Sequence, residues 1–336
     1  MTVSPVAKPE RSRRIGASVL ALAAAMAMAT AMATAQDYPV KPIRLIVPFG
    51  AGGPRDVQAR LIGAHLTRVW GQQVIIDNRG GANGIIGSEL AARADADGYT
   101  LLMISAGFAV NATLYPKLPY NFVTDFAPVT QVGETPFVLA VHPSFPATTL
   151  KELLAYARAT PDRLNFGSNV NGSNMHLSLE LLKMETGARI THVPYKGGGG
   201  PAAMGLIGGE TQMMFNTMPS VKGFVEGGRM QALAVTSAKR MPQWPEVPTM
   251  AELGYPDLVT GSWQGVLAPA KTPKDIINKL YQALIKVLEM PDVRERLAGG
   301  GVFPAQSSSP EEFAQYLATE SQKWGHVARE ARATAD

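Results

Sequence analysis

Residues 43–48 read Ile-Arg-Leu-Ile-Val-Pro, a short and almost wholly apolar run, and pass straight into a turn holding Gly50, Gly52 and Gly53. Beyond the turn Val57, Leu61, Leu66 and Val69 recur at helical spacing. A buried strand that enters a helix through a glycine turn belongs to a parallel sheet covered on both faces. The pattern continues with strands expected at 74–76 and 99–104, a second glycine turn at 78–84 and a helix over 85–93. Right-handed crossovers put such turns at one edge, the carboxyl ends of the strands.

The alternation then restarts. Strands are expected at 137–141, 164–166, 190–193, 213–215, 233–235 and 263–267, with helices over 150–159, 175–185, 274–289 and 311–330. Thr149 opens the first of these helices and Gly187 closes the second. Two α/β units in one chain leave a cleft between them. The segments near 137–141 and 263–267 lack Gly/Ser linkers, so two extended crossings and a hinge are expected.

A length of 336 residues suits two such units. With 46% apolar but only 7% aromatic residues the core is aliphatic, and 17% charged residues excludes a disordered chain. The absence of cysteine removes disulfides, thiol catalysis and thiolate metal sites. Arg11, Arg13 and Arg14 precede an apolar Ala- and Met-rich run that ends in Ala33-Thr34-Ala35. This reads as a secretory leader over 1–35, cleaved near Ala35 to leave a periplasmic protein. Without its four basic residues and one acidic residue, the net charge falls from +4 to +1. No basic stripe for nucleic acid remains.

The sharpest candidate site is the first turn: Phe49, Gly50, Ala51, Gly52, Gly53, Arg55 and Asp56. Glycines let a ligand approach the backbone, and the free N–H groups of the following helix favour an anion. Ser168, Gly172 and Ser173 stand in a second turn, where hydroxyls and amides can meet a carboxylate without a counter-charge, or simply cap the helix. Ser105, Asn111 and Asn216 fall at other strand carboxyl ends. Gly50, Gly52 and Asp77 sketch a dinucleotide fingerprint, but Pro54 and Arg55 break it, so a nicotinamide-dependent oxidoreductase is the weaker alternative. Ser173 and His176 lack the partners of a hydrolase. The five histidines are scattered without paired acids, and neither metal nor cofactor is expected.

Several ordered blocks carry a resemblance. They include Tyr38-Pro-x-Lys-Pro-Ile-Arg-Leu-Ile-Val-Pro-Phe49, Ala51-Gly-Gly-x-x-Asp-x-x-Ala-Arg60, Asp77-Asn-Arg-x-Gly-Ala-x-Gly84, Asp97-Gly-Tyr-Thr-Leu-Leu102 and His192-Val-Pro-Tyr-Lys-Gly197. Phe166-Gly-Ser168, Gly172-Ser173 with His176, Ala232-Leu-Ala-Val-Thr-Ser237, Val247-Pro-Thr249 and Ala268-Pro-Ala-x-Thr-Pro273 follow in order. The chain resembles the tripartite tricarboxylate transporter receptors, the Bug-type periplasmic solute-binding proteins. The resemblance implies an α/β type II periplasmic-binding fold without enzyme activity. One lobe would comprise 36–140 with 259–336 and the other 141–258, joined by two crossover strands. It implies a monomer that holds a small carboxylate (a di- or tricarboxylate, acidic amino acid or aromatic acid) and delivers it to membrane transporter subunits. A sensor-kinase ligand module uses the same fold. Two departures stand out: Arg55 where a small residue is expected, and the four-glycine run 197–200.

Overall fold

The computed structural model describes residues 38–115, 117–196 and 199–334. The expected leader with its cleavage near Ala35, and Gly197 and Gly198 of the glycine run, lie outside them. The chain separates into two compact units, Met1–Lys41 and Pro42–Asp336. Of the first, residues 38–41 are described and lack regular structure. The second carries the whole fold.

In its first sheet, β1 (Ile43–Val47) lies between two parallel neighbours, β2 (Val74–Asn78) and β3 (Thr100–Ser105). Beside β3 runs β9 (Gly261–Pro269), antiparallel, and beside β9 the first part of β4 (Phe126–Val141), also antiparallel. The second sheet repeats this plan. Strand β5 (Asn165–Ser168) has parallel neighbours β6 (Thr191–Pro194) and β7 (Met213–Thr217). Strand β7 is antiparallel to the last residues of β4, whose other edge takes β8 (Gln231–Val235). Both sheets are therefore mixed rather than wholly parallel. Strand β9 brings the chain back from the second sheet and so runs against β3.

Strand β4 belongs to both sheets, pairing with β9 from Phe126 to Pro136 and with β7 from Phe137 to Val141. The apolar pattern betrays only its last five residues. Pro128, Gly133, Glu134 and Pro136 disguise the rest, and the register shifts twice against β9. Gly133 is required there: a Cβ would lie 2.6 Å from Val302 Cγ1 and 2.8 Å from the Phe303 carbonyl oxygen.

The helices are α1 (Pro54–Trp70), α2 (Ile85–Ala92), α3 (Gly107–Leu114), α4 (Leu150–Ala159), α5 (Asn174–Thr186), α6 (Gly199–Ile207), α7 (Met218–Glu226), α8 (Lys274–Leu288), α9 (Pro291–Gly299) and α10 (Pro310–Glu330). Helix α1 starts three residues before its first apolar position because Pro54 presets the first turn. Thr149 and Glu152 form a capping box on α4, so its bounds match the sequence pattern. Helices α3, α6, α7 and α9 are short, and each carries glycine; their apolar spacing is too brief to stand out.

Helix α10 does not belong to one half. Phe313 and Leu317 pack with Ile104 and Trp263 under the first sheet. Trp324, Val327 and Ala328 pack with Phe137, Leu177 and Leu258 under the second. Helix α3 divides likewise, Phe108 and Ala109 joining the first core and Val110 and Leu114 the second. Two shared helices, as well as the shared strand β4, tie the halves together.

Candidate ligand-binding cleft

A cleft of about 770 Å³ opens where the strand-to-helix turns of both sheets meet. Phe49, Pro54, Arg55, Ala82, Asn83, Ser105 and Gly107 line it from the first sheet. Asn169, Asn171, Gly172, Ser173, Asn174, Gly199, Asn216 and Thr217 line it from the second, and Ser262 from the start of β9. The amino-terminal ends of α1, α3, α5, α6 and α7 contribute lining residues. Their unsatisfied N–H groups and dipoles make the cleft attractive to negative charge.

Among the described residues that line it, Arg55 is the one charged side chain. Its Cζ sits 4.5 Å from the centre of the Phe49 ring, and Nη2 donates to Ser262 Oγ at 3.2 Å. Nε is buried with no hydrogen-bond partner, and burial lowers the affinity of the guanidinium for its proton. No carboxylate pairs with it among the described residues. Such a cation lacks the compensation that buried charge ordinarily finds. Asn169 Oδ1 and Asn174 Nδ2 are also buried without partners in the same cleft.

The expected residues divide into those that face the cleft and those that hold it. Phe49, Arg55, Ser105, Gly172, Ser173 and Asn216 line it. Gly50, Ala51 and Gly53 do not, and Gly52 lines a separate groove beside α1. Asp56 is turned inward. It accepts from Gly52 N at 2.8 Å and from Arg60 Nε at 2.9 Å, and the Arg60 bond holds its carboxyl below the usual range against burial. Buried Asn111 accepts from Asn83 Nδ2 at 2.9 Å and so positions Asn83, which does reach the cleft. Fully buried Ser168 meets His192 Nε2 at 2.6 Å. Asn216 donates to the Gly199 carbonyl at 3.0 Å and fixes the start of α6.

In the second turn, Ser173 caps α5 by accepting from His176 N at 3.3 Å, which leaves its hydroxyl proton available. The His176 imidazole is a support. Its Nδ1 accepts from Gly172 N at 3.1 Å, its ring stacks on His192 at 4.0 Å, and Nε2 lies 3.5 Å from Glu180. Burial works against ionisation of Glu180, but bonds from His176 and Lys183 outweigh it and hold the carboxyl low. His176 thus has an acid one helical turn away, and His65 has Asp292 at 2.8 Å. The histidines are therefore not without acids: the His176–Glu180 pair stands at i, i+4 in the sequence, whereas His65–Asp292 joins residues far apart along the chain. Among the described residues, no three potential ligands cluster to hold a metal.

Asn83, Asn169, Asn171 and Asn174 sit in turns the sequence marked, and strand-end logic could have included them. Ser262 could not be found that way. Strand β9, antiparallel to β3, presents its amino end at the edge where β1, β2 and β3 present their carboxyl ends. The dinucleotide alternative loses its acid: Asp77 accepts from Arg44 Nε at 2.7 Å and Arg79 Nε at 2.9 Å, which occupies the carboxylate.

Paired mixed sheets joined by crossing strands, with a polar cleft at their shared turn edge, define a solute-binding receptor. A family model, the tripartite tricarboxylate transporter family receptor, matches residues 58–332. The protein BugT of Bordetella pertussis is 40% identical over 299 residues, spanning 88% of this chain and 91% of BugT. The R. palustris protein Rpa4515, solved with adipate, superposes with a TM-score of 0.75 at 37% identity and covers 88% of this chain and 99% of its own. MatC of Rhodopseudomonas palustris, with bound malate, gives 0.71 at 33% identity over 86% and 99%. The chain belongs to the tripartite tricarboxylate transporter receptor family. It is a periplasmic solute-binding receptor, not an enzyme.

Proposed function

We propose that the cleft captures a small dicarboxylate or related organic acid for delivery to the membrane subunits of a tripartite tricarboxylate-type transporter. The observation that carries this is Arg55, a cation in the cleft wall that no acid among the described residues neutralises. An anionic ligand supplies the missing partner. The helix amino ends and the neutral donors Ser105, Ser173, Asn83 and Asn216 complete the pairing of its oxygens. The malate- and adipate-bound relatives support a dicarboxylate over a single acid.

The lobes on this reading are 36–140 with 259–336, and 141–258. A ligand that touches both favours their closed arrangement, because only there are both sets of contacts made. The receptor works as a monomer.

Thermal unfolding with di- and tricarboxylates, acidic amino acids and aromatic acids tests this. Ligand at 100 times Kd adds about 2.7 kcal/mol of stability. Protein freed of co-purified ligand that shifts with none of these acids would refute the reading.

A further inference from the structure

A second concavity, a groove of about 710 Å³, lies between α1 and the segment from α9 to Val302. Val57, Leu61, Ala64, Leu297 and Val302 give it apolar walls, and Val57 is 59% exposed. Its charged rim is cationic: Arg60, Arg68 and Arg296 line it, and among the described residues no acid does. Arg60 is engaged by Asp56, but the Arg68 and Arg296 side chains have no ion pair or hydrogen bond among the described residues. His65, bonded to Asp292, fastens α1 to α9.

The groove adjoins the cleft at one shared residue. Pro54 lines both, and it immediately precedes Arg55. Gly301, between the lining residues Gly300 and Val302 but not itself one of them, has φ +73° and abuts the second half: a Cβ there would lie 2.1 Å from Pro219 Cγ. Pro219 stands on α7 beside Ser220, a cleft residue. The residues that line the groove fall within 52–68 and 296–302, so a body seated there touches the first half beside the turn that carries Arg55.

We propose that this groove is where the receptor meets the membrane subunit of its transporter, a proposal that rests on the transport reading above. The occupant is an exposed segment of that subunit with an aliphatic or aromatic anchor flanked by Asp or Glu. The anchor fills the apolar trough and the carboxylates pair with Arg68 and Arg296.

The test places a photo-cross-linking residue at Val57 in the full chain, expressed in the bacterium that carries it. The expected result is a light-dependent adduct with an integral membrane protein, identified by mass spectrometry as a transporter subunit. The adduct falls at least tenfold when Arg68→Glu and Arg296→Glu are combined, and the same photo-residue at Leu90, on α2, gives none. No adduct, an adduct with a second receptor, a lipid or a soluble protein, or one that survives charge reversal overturns the proposal. Thermal shifts with malate, adipate and the wider acid panel are read on wild type and the double variant. Shifts retained in both while the adduct is absent refute the groove alone; no shift in wild type refutes the receptor reading.

Discussion

The two turns that follow the central strands, 49–56 after β1 and 168–174 after β5, occupy equivalent places and do opposite things. The first brings a charge into the cleft on Arg55 and keeps its three glycines out of it. The second brings only neutral groups, with its glycine in the wall. Each is braced alike: a residue one helical turn on accepts the N–H of a positive-φ glycine, Asp56 from Gly52 and His176 from Gly172. Equivalent backbone scaffolding thus presents one point charge and one array of dipoles, and the difference resides in side chains at the helix starts.

The sharpest way to break this contrast is Arg55→Ala. Hydrogen bonds to a charged group contribute about 1.5–3 kcal/mol. Affinity for the bound acid should therefore fall roughly 10- to 150-fold by calorimetry, with little loss of stability, since the guanidinium holds no acid among the described residues. A change below threefold would return the first turn to a purely structural role.

The brace of the second turn comes next. His176→Leu leaves the Gly172 N–H without its acceptor, and chemical denaturation should show a loss of about 1–3 kcal/mol. Gly172→Ala should cost about 1–2 kcal/mol, because φ is +69° and a Cβ would lie 2.7 Å from Leu114 Cδ1. Gly52→Ala, at φ +80° with open space around it, should cost less, about 1 kcal/mol. Equal losses at the two glycines would show that conformation, not packing, governs both.

Ser173→Ala should weaken ligand binding and helix α5 together by about 1 kcal/mol each, read by calorimetry and denaturation. Smallest is the pH effect of the first brace. Asp56 has its folded pKa depressed by the Arg60 bond, so its stabilisation is full above the unfolded Asp value near 4 and is lost as pH falls through the folded one. Asp56→Asn should lower stability at neutral pH and flatten the acid limb of the stability curve below about pH 4. An unchanged acid limb would mean that Asp56 braces nothing.

Much of this was legible along the chain. Strands with dense apolar runs, such as β1 and β3, and helices with caps, such as α4 and α5, announce themselves because burial and capping act on neighbouring residues. The first part of β4 did not, since its prolines and Gly133 answer to β9, Val302 and Phe303, which are remote in sequence. The turns that form the cleft were marked by glycine and strand-end position, yet which members face inward was not. Asp56 and Asn111 carry the polar chemistry of a site, and the fold uses both to position neighbours.

The sequence by itself determined the α/β class, the approximate elements, the two glycine turns and the family, because periodicity, turn chemistry and ordered motifs are local properties. Only the tertiary structure decided that Arg55 lies in the cleft beside Phe49 and Ser262, that α3 and α10 serve both cores, and that an arginine-rimmed groove adjoins the cleft. Those depend on which distant surfaces exclude water from one another. The direction of a side chain is settled by that competition across the whole molecule.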